Sequence, residues 1–360
     1  MRSASIVKHF WWLIPFVIFD VWFFPRFWQQ PEPEIISPEQ VRPPIQQPPR
    51  YAFPTDQKGL LDPPSDSVFM PTAADNVESA LFGSARTRQY QFGLAPAFHE
   101  GIDIAPLQRD RRGNAMDKIY AAADGLVAYI NRIAGNSSYG RYVVIEHTDP
   151  AGPLYTLYAH MDASAPGLKA GDQVTMGQTI GRMGHTSTLD IPKARSHLHF
   201  EVGLMLNRRF GQWYKAKKLK PYHNVYHGWN MLGLDPLDLF RNRNAEGQFE
   251  LLKYTRSQTP AFELIVQAPR FPDYFEIYPA LWEGPRPGDG LMRLVFTESG
   301  LILSGRPKSE SDIDPGTARA AAQNVSAAAL GRNGKRLIIQ RNGQWQLGSK
   351  GTELLEILFY

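Results

Sequence analysis

The chain has 360 residues, of which 43% are hydrophobic and 21% charged, and its formal net charge is +4. These values are typical of a globular protein with room for one large domain or two ordinary ones. The absence of cysteine excludes disulfides, thiolate metal ligands and a cysteine nucleophile, so a metal site would need histidines and carboxylates. Lysines and arginines are scattered, so we expect no nucleic-acid partner, and the basic balance suits an anionic polymer.

The amino end carries an apolar segment. Arg2 and Lys8 precede a strongly apolar run that extends from Phe10 to Phe24, and no small-residue cleavage site follows. We therefore expect residues 1–28 to form an uncleaved membrane anchor, with residues 6–28 as the tether. The body of the protein would then lie on the periplasmic or cell-surface side. A cleaved export signal and a buried core helix are the alternatives.

Residues 29–61 follow as a proline-rich segment, with pairs such as Pro43-Pro44 and Pro48-Pro49 among Gln, Glu and Arg. Such a composition cannot bury a core and favours extended polyproline II structure. We expect a linker that holds the next domain away from the membrane.

From residue 62 to residue 240 the sequence predicts short strands separated by glycine turns. The segments 141–147 and 154–160 alternate in the period-2 manner of half-buried strands. Their connections are too short for helical crossovers. We therefore predict a mainly β fold, with an antiparallel domain over residues 62–240.

Four histidines and one aspartate stand out in this region. His197 and His199 are two residues apart, so on a strand both side chains point to the same face. His99 and Asp103 are separated by a tight bend and can supply one nitrogen and one oxygen. Catalytic zinc takes such ligands and keeps one position open. A third ligand from the His197/His199 pair would complete the set, leaving the other histidine and His160 near the open position.

These residues resemble the motifs of the LytM/lysostaphin-type zinc peptidases. The features that match are His-x-Gly-x-Asp, Tyr-Ala-His, a glycine-rich turn and His-Leu-His-Phe-Glu, at residues 99–103, 158–160, 177–181 and 197–201. The resemblance implies that His99, Asp103 and His199 bind one Zn²⁺ per chain. It also implies that His160 and His197 are catalytic.

The same resemblance implies a small antiparallel β domain with the metal in a groove, and a zinc-dependent endopeptidase that cuts peptide bonds in peptidoglycan stems or cross-links. One of His160 and His197 would take the proton of a water molecule, and the other would stabilise the oxyanion or protonate the leaving amine. Which histidine has which role stays open. Two segments depart from the family pattern, residues 106–118 and residues 185–196, and we expect them to influence substrate choice.

Two other functions are compatible with the motifs. The chain could be a LytM-like scaffold that activates a partner cell-wall hydrolase, or a peptidase that acts on a protein outside the wall. Of the other histidines, we expect His147 to be structural or groove-lining, His185 to be a solvated loop residue, and His223 and His227 to lie on the surface.

Residues 241–360 resemble no family that we recognise. The sequence predicts strands at 262–266 and 291–296, a helix at 317–330 that begins after Asp314-Pro315, and a hairpin over 335–347. We therefore expect a small α+β accessory domain. Wall binding, partner docking and packing against the peptidase domain are alternatives for its role.

Overall fold

The structure is a computed structural model that describes residues 34–35, 47–72, 76–90, 93–219, 225–316 and 318–360. The expected membrane anchor, residues 1–28, and the expected linker as far as residue 46, apart from 34–35, lie outside the described residues. Within those ranges, no helix combines the length and the apolar character that crossing a membrane requires.

Antiparallel strands dominate the part of the chain before residue 235. In chain order the strands are β1 (Glu34–Ile35), β2 (Ala85–Tyr90), β3 (Gly93–Phe98), β4 (Ile102–Ile104), β5 (Lys118–Tyr120), β6 (Gly125–Asn131), β7 (Arg141–Asp149), β8 (Gly152–Ser164), β9 (Gln173–Val174), β10 (Thr179–Met183), β11 (Leu198–Met205) and β12 (Met231–Leu234). Strands β2 and β3 pair as a separate hairpin, and the others form a ten-stranded sheet among the described residues.

Strand β8 lies at the centre of this sheet. It pairs with β7 along one edge, and with β10 and β11 along the other. Strand β11 in turn lies between β8 and β4. The predicted strands at 141–147 and 154–160 are confirmed, and so is the mainly antiparallel β fold.

Both faces of the central strands are buried. Strand β11 has no exposed residue, and the buried positions of β7 and β8 include Val144, Leu157 and Tyr158, none of which is accessible to solvent. The expected half-buried pattern is therefore wrong for the middle of β7 and β8, where consecutive residues are buried. The histidines on this sheet therefore lie on largely buried strands.

A smaller sheet follows in the carboxyl part. Its strands are β13 (Phe262–Gln267), β14 (Leu291–Phe296), β15 (Ile302–Pro307) and β16 (Ala320–Gln323), in the spatial order β15-β14-β13-β16. Strands β17 (Ile338–Arg341) and β18 (Gln344–Leu347) form a hairpin around Asn342-Gly343, as the sequence predicts. The predicted strands at 262–266 and 291–296 are likewise confirmed.

Helices are short throughout the described residues. The α-helices are α1 (Phe210–Ala216), α2 (Pro236–Arg241), α3 (Leu251–Ser257), α4 (Asp273–Ile277), α5 (Ala327–Leu330) and α6 (Ser349–Leu358). Single turns of 3-10 helix occur at Gly59–Leu61, Val77–Ala80, Ala134–Asn136, Lys193–Arg195 and Pro279–Leu281.

The predicted helix over residues 317–330 is wrong. Ala320–Gln323 form the edge strand β16, which pairs with β13, and helix α5 covers only Ala327–Leu330. Alanine has high helix propensity, but pairing along the open edge of β13 outweighs that local preference. The Gln323 amide also donates to Glu263 on β13 over 2.9 Å, which fixes the register of the pair.

The carboxyl part packs directly on the large sheet. The Tyr278 hydroxyl donates to the Pro153 carbonyl over 2.8 Å and accepts the Met205 N–H over 2.9 Å. Tyr278 is fully buried, so these bonds tie α4 and the residue that follows it to β8 and β11. Packing is thus one function of residues 241–360. The domain boundary at 240/241 stays a prediction. The predicted linker is wrong for its last part, because Tyr51 and Leu60 are buried in the core and the N–H groups of Tyr51 and Ala52 donate to the carbonyls of Gly247 and Ala122.

Candidate metal centre

Strand register brings the predicted metal ligands together. In β11, His199 lies opposite Asp103 of β4 on one side and opposite Ala159 of β8 on the other. His99 precedes β4 and faces the same point. The His99 Nε2 atom lies 3.1 Å from Asp103 Oδ1 and 3.2 Å from His199 Nδ1. Asp103 Oδ1 and His199 Nδ1 are 2.8 Å apart, so the three atoms form a triangle.

This triangle of donor atoms has the dimensions of a zinc site. Zinc bonds of about 2.0–2.1 Å at tetrahedral angles separate neighbouring ligand atoms by about 3.3 Å. The three side chains are buried, with 2%, 1% and 7% of the surface of His99, Asp103 and His199 exposed. A buried carboxylate with two imidazoles could therefore hold a metal ion here.

Hydrogen bonds on the far side of each ligand fix which atom faces the cluster. His99 Nδ1 donates to the Leu81 carbonyl over 2.9 Å, so its Nε2 atom carries the lone pair. His199 Nε2 donates to Glu201 Oε1 over 2.7 Å, so its Nδ1 atom faces the cluster. The Thr72 hydroxyl donates to Asp103 Oδ2 over 2.6 Å. Such outer contacts orient metal ligands and tune their basicity.

The charges in the cluster oppose the cost of burial. Burial alone would raise the pKa of Asp103, but His99, His197 and the hydrogen bond from His199 hold it well below its usual range. Burial likewise disfavours a charged His199, yet its bonds to Asp103 and Glu201 raise its pKa to about 9. Asp103 is consequently ionised, which is the form that binds a cation.

Two further histidines flank the triangle. The rings of His160 and His197 are 4.8 Å apart between centroids, and His160 is 5.7 Å from His199. His160 Nδ1 donates to the Thr186 carbonyl over 2.9 Å, and His197 Nδ1 donates to the Arg195 carbonyl over 2.7 Å. Both rings therefore have Nε2 as their proton-accepting atom. His197 Nε2 lies 3.6 Å from Asp103 Oδ1.

A β-bulge directs His160 towards the cluster. Between β7 and β8 the pairing moves from Tyr158 opposite Val143 to Met161 opposite Arg141, so β8 contains one residue more than its partner. His160 takes up the extra length with a φ of +58°. A residue without glycine's freedom rarely adopts this conformation, and bulges often redirect side chains beside functional sites.

Residues 97–211 match the model of Peptidase family M23. This segment is similar to M23 peptidase domains. The expected resemblance to LytM-type peptidases is confirmed, and the matched residues include all five histidine and aspartate positions described above.

Named relatives are similar to part of this chain. The lipoprotein NlpD/LppB homolog of Pseudomonas aeruginosa is 31% identical over 112 residues, which cover 31% of this chain and 31% of the relative. Peptidoglycan DD-endopeptidase ShyC of Vibrio cholerae is 34% identical over 104 residues, 29% of this chain and 19% of that protein. A solved zinc-containing peptidase from Vibrio cholerae is 26% identical with a TM-score of 0.23, over 38% and 36% of the two chains. The similarity thus spans about a third or less of these proteins.

The other histidines lie outside the cluster. His147 is fully buried between the Asp124 carbonyl and the Thr156 hydroxyl, which agrees with a structural role. His185 is half-buried and donates to the Ile191 carbonyl, so it orders its loop rather than facing solvent. His227 is half-buried against the rings of Phe210, Tyr214 and Trp229, so it lies at the surface but is partly covered. His223 lies outside the described residues.

Sequence reasoning missed Glu201 as a partner of a ligand. Glu201 accepts from His199 and from the Tyr139 hydroxyl, over 2.7 and 2.8 Å. The signal was present, because Glu201 continues the period-2 series of His197 and His199 on β11. Thr72 had no comparable signal, since only the fold brings it to Asp103.

Proposed function

We propose that the chain is an exported, zinc-dependent endopeptidase that hydrolyses peptide bonds in peptidoglycan stems or cross-links, tethered to the membrane by residues 6–28. The observation that carries the proposal is the buried triangle of donor atoms from His99, Asp103 and His199. The M23 match and the name of the Vibrio cholerae relative, a peptidoglycan DD-endopeptidase, support the same conclusion.

His99, Asp103 and His199 would hold one zinc ion. When bound, zinc supplies Lewis-acid polarisation of a carbonyl and lowers the pKa of water towards ~7. Asp103 contributes a full negative charge to the site. The Leu81 carbonyl and Glu201 accept from the outer nitrogens of His99 and His199, so the facing nitrogens are the ones that would bind the ion, and His199 would release its Nδ1 proton to do so.

His160 and His197 would move the protons. Both present Nε2 and anchor Nδ1 on a carbonyl, so neither needs to rotate or change tautomer before it accepts a proton. Burial, together with the nearby His197 and His199, holds the pKa of His160 well below its usual range, which keeps this ring neutral at pH 7. One of the two would take the proton of a water molecule, and the other would stabilise the oxyanion or protonate the leaving amine.

Digestion of purified sacculi tests the proposal. We expect the zinc-loaded full-length chain to release peptide-cleaved fragments, identified by mass analysis, and a chelator to abolish release until zinc is restored. His197→Ala should keep the fold and the zinc and lower kcat by about 10²–10⁴-fold. Sacculi and soluble cross-linked muropeptides that both stay intact with metal-loaded protein would rule the proposal out.

The alternative is a LytM-like scaffold that activates a partner cell-wall hydrolase. The similarity to a relative named as a lipoprotein rather than as an enzyme favours it. The complete set of donor atoms and flanking histidines favours the enzyme. A partner amidase whose activity rises equally with wild type and with His197→Ala would support the scaffold.

A further inference from the structure

The segment 106–118, which departs from the M23 pattern, is a structured loop. At its base, the Asp117 carboxylate accepts the N–H groups of Leu107 and Gln108 over 2.7 and 3.1 Å. At its tip, Asp110 accepts the backbone N–H and the side-chain amide of Asn114 over 2.9 and 2.7 Å. Each end of the loop is therefore closed by a carboxylate, and the residue beside the tip, Arg109, has a defined position.

Arg109 fastens this loop to the second departing segment, residues 185–196. Its Nη1 donates to the Lys193 carbonyl over 2.9 Å and to Gly113 within its own loop over 3.1 Å. Its Nη2 donates to the Ala194 carbonyl over 2.9 Å. One guanidinium thus spans two consecutive carbonyls of the 3-10 turn Lys193–Arg195.

The same turn holds His197. The carbonyl of Arg195, the last residue of the turn, accepts His197 Nδ1–H over 2.7 Å. Within the turn, the Lys193 carbonyl also accepts the hydroxyl of Ser196 over 2.6 Å, and Ser196 is fully buried. The direction of the His197 ring therefore depends on the position of a turn whose outer carbonyls bind Arg109.

We propose that Arg109 is a positioning residue for His197. The guanidinium holds the turn 193–195, and the turn presents the carbonyl that orients the imidazole. The expected effect on kcat rests on the proposed function. The expected effect on the orientation of the His197 ring rests on geometry alone. Hydrogen bonds from Arg109 thus join segment 106–118 to segment 185–196 next to His197, in addition to any effect of these segments on substrate choice.

Arginine is the side chain suited to this contact. Its planar fork presents donors in a fixed geometry that can bridge two neighbouring oxygens, whereas a lysine ammonium offers one mobile point charge. Misplacing a reacting group by about 1 Å can cost about 10²-fold in rate. Loss of the Arg109 hydrogen bonds to two carbonyls of the turn should shift the His197 ring by less than about 1 Å, so the expected loss of rate is smaller than about 10²-fold.

The test compares Arg109→Ala and Arg109→Lys with Arg111→Ala in the zinc-loaded full-length chain. Arg111 is an exposed arginine of the same loop, so its removal changes the charge equally. We expect Arg109→Ala to lower kcat about tenfold, with KM and zinc content within about twofold of wild type. Arg109→Lys should recover part of the loss, and Arg111→Ala should match wild type.

A second readout does not depend on hydrolysis. In ¹⁵N-histidine-labelled protein, the Nδ1 proton of His197 should exchange with water faster in Arg109→Ala than in wild type, and at the wild-type rate in Arg111→Ala. If wild type cuts no muropeptide, the proposed function fails while this measurement still decides the role of Arg109. Should Arg109→Ala not fold, Arg109→Gln replaces it in both experiments.

Three outcomes would overturn the proposal. The first is an equal kcat for Arg109→Ala and Arg111→Ala. The second is a change in Arg109→Ala that is confined to KM, which would make the loop a substrate contact. The third is an exchange rate of the His197 Nδ1 proton that is the same in Arg109→Ala and wild type.

Discussion

Glu201 is the outer hydrogen-bond partner of His199, a proposed metal ligand. Its carboxylate accepts from His199 Nε2 and so fixes the tautomer and the basicity of this ligand. Glu201→Gln keeps the size of the side chain and removes its charge. We expect zinc affinity to fall by about 10–100-fold, measured by competition with a chromogenic chelator.

Tyr139→Phe is the matched control for this prediction. It removes the other hydrogen bond to Glu201 Oε1 and leaves the charge in place. We expect its zinc affinity to stay within about threefold of wild type, because the contact to His199 persists. Equal affinity in Glu201→Gln and wild type would show that backbone position alone sets the ligand geometry.

His147 links stability to pH at a site away from the metal. Burial lowers its pKa from 6.5 to about 4, so between these values the unfolded chain binds a proton that the folded chain does not. The stability contributed by the neutral ring is present above pH 6.5 and is lost as pH falls towards 4. His147 should therefore make the free energy of unfolding about 2 kcal/mol lower at pH 5 than at pH 7.5.

Urea unfolding of wild type and His147→Gln at the two pH values, both in chelator, measures this contribution. Glutamine cannot titrate, so the difference between the two pH values should be smaller in the variant by about 2 kcal/mol. The comparison cancels the titration of all other groups. The same pH dependence in both proteins would contradict the prediction.

Each pair of residues in the candidate metal cluster was predictable from spacing, and the full set followed from the resemblance to LytM-type motifs. His99 and Asp103 lie at either side of one bend, and His197 and His199 share a strand face, so spacing alone brings each pair together. The outer partners depend on the fold. Leu81 and Thr72 reach the cluster from segments with no motif, and no spacing rule relates them to the ligands.

At the scale of elements, the segments around the β8 bulge hold His160. The Thr186 carbonyl accepts His160 Nδ1–H, and the Thr186 hydroxyl donates to Met161 and accepts from the backbone of Arg141. The sequence predicts β7 and β8 from their alternation, but alternation does not reveal an extra residue in one strand. A bulge is set by register across the sheet, which requires the partner strand to be known.

Gly140 is a critical position in this arrangement. Its φ is +62°, and a Cβ atom there would lie 2.0 Å from the Thr186 carbonyl oxygen, the acceptor of His160. We expect Gly140→Ala to lower the free energy of unfolding by more than about 2 kcal/mol, because both backbone strain and displacement of a backbone atom contribute. Activity of the folded fraction should fall as well, since His160 loses its anchor.

Gly177→Ala provides the comparison, measured by urea unfolding together with kcat. Gly177 also has a positive φ, +81°, but nothing lies within 4 Å of an added Cβ. Strain alone should cost about 1 kcal/mol and leave kcat unchanged. Equal losses of stability and activity in the two variants would mean that strain, and not contact with Thr186, limits position 140.

The elements of the carboxyl part illustrate what local sequence leaves undetermined. The hairpin of β17 and β18 was predictable because Asn342-Gly343 suits a two-residue turn, and both residues have positive φ. The alanines at 320–322 fit a helix by propensity, yet they pair with β13 because that strand would otherwise have an open edge. Long-range pairing decided this segment, and no local signal reports it.

At the scale of the whole molecule, the carboxyl part reaches the loop that carries His99. Lys335 lies 2.9 Å from Glu100 Oε1 and 3.1 Å from Oε2, and only 16% and 24% of the two side chains are exposed. The Lys335 ammonium also lies 5.2 Å from the centre of the Phe98 ring. The residues on either side of His99 are therefore both in contact with a lysine from the opposite end of the chain.

Lys335→Met tests how much this contact contributes. Burial raises the pKa of Glu100 and the ion pair with Lys335 lowers it. Removal of the lysine should therefore raise the pKa of Glu100 further. The folded variant then binds a proton more readily than the unfolded chain, and its stability falls as pH rises through the folded-state pKa. We expect a loss of about 1–3 kcal/mol at pH 8 and a smaller loss at pH 5, from urea unfolding in chelator.

Lys350→Met separates this effect from a general loss of charge. Lys350 pairs with Glu353 over 3.3 Å, but half of its side chain is exposed, so its removal should change stability by less than about 0.5 kcal/mol at either pH. If Lys335→Met were equally neutral, the carboxyl part would hold the M23 domain by apolar packing and by the Tyr278 hydrogen bonds. A loss that grows from pH 5 to pH 8 would instead show that a charge from residues 241–360 stabilises the loop beside His99.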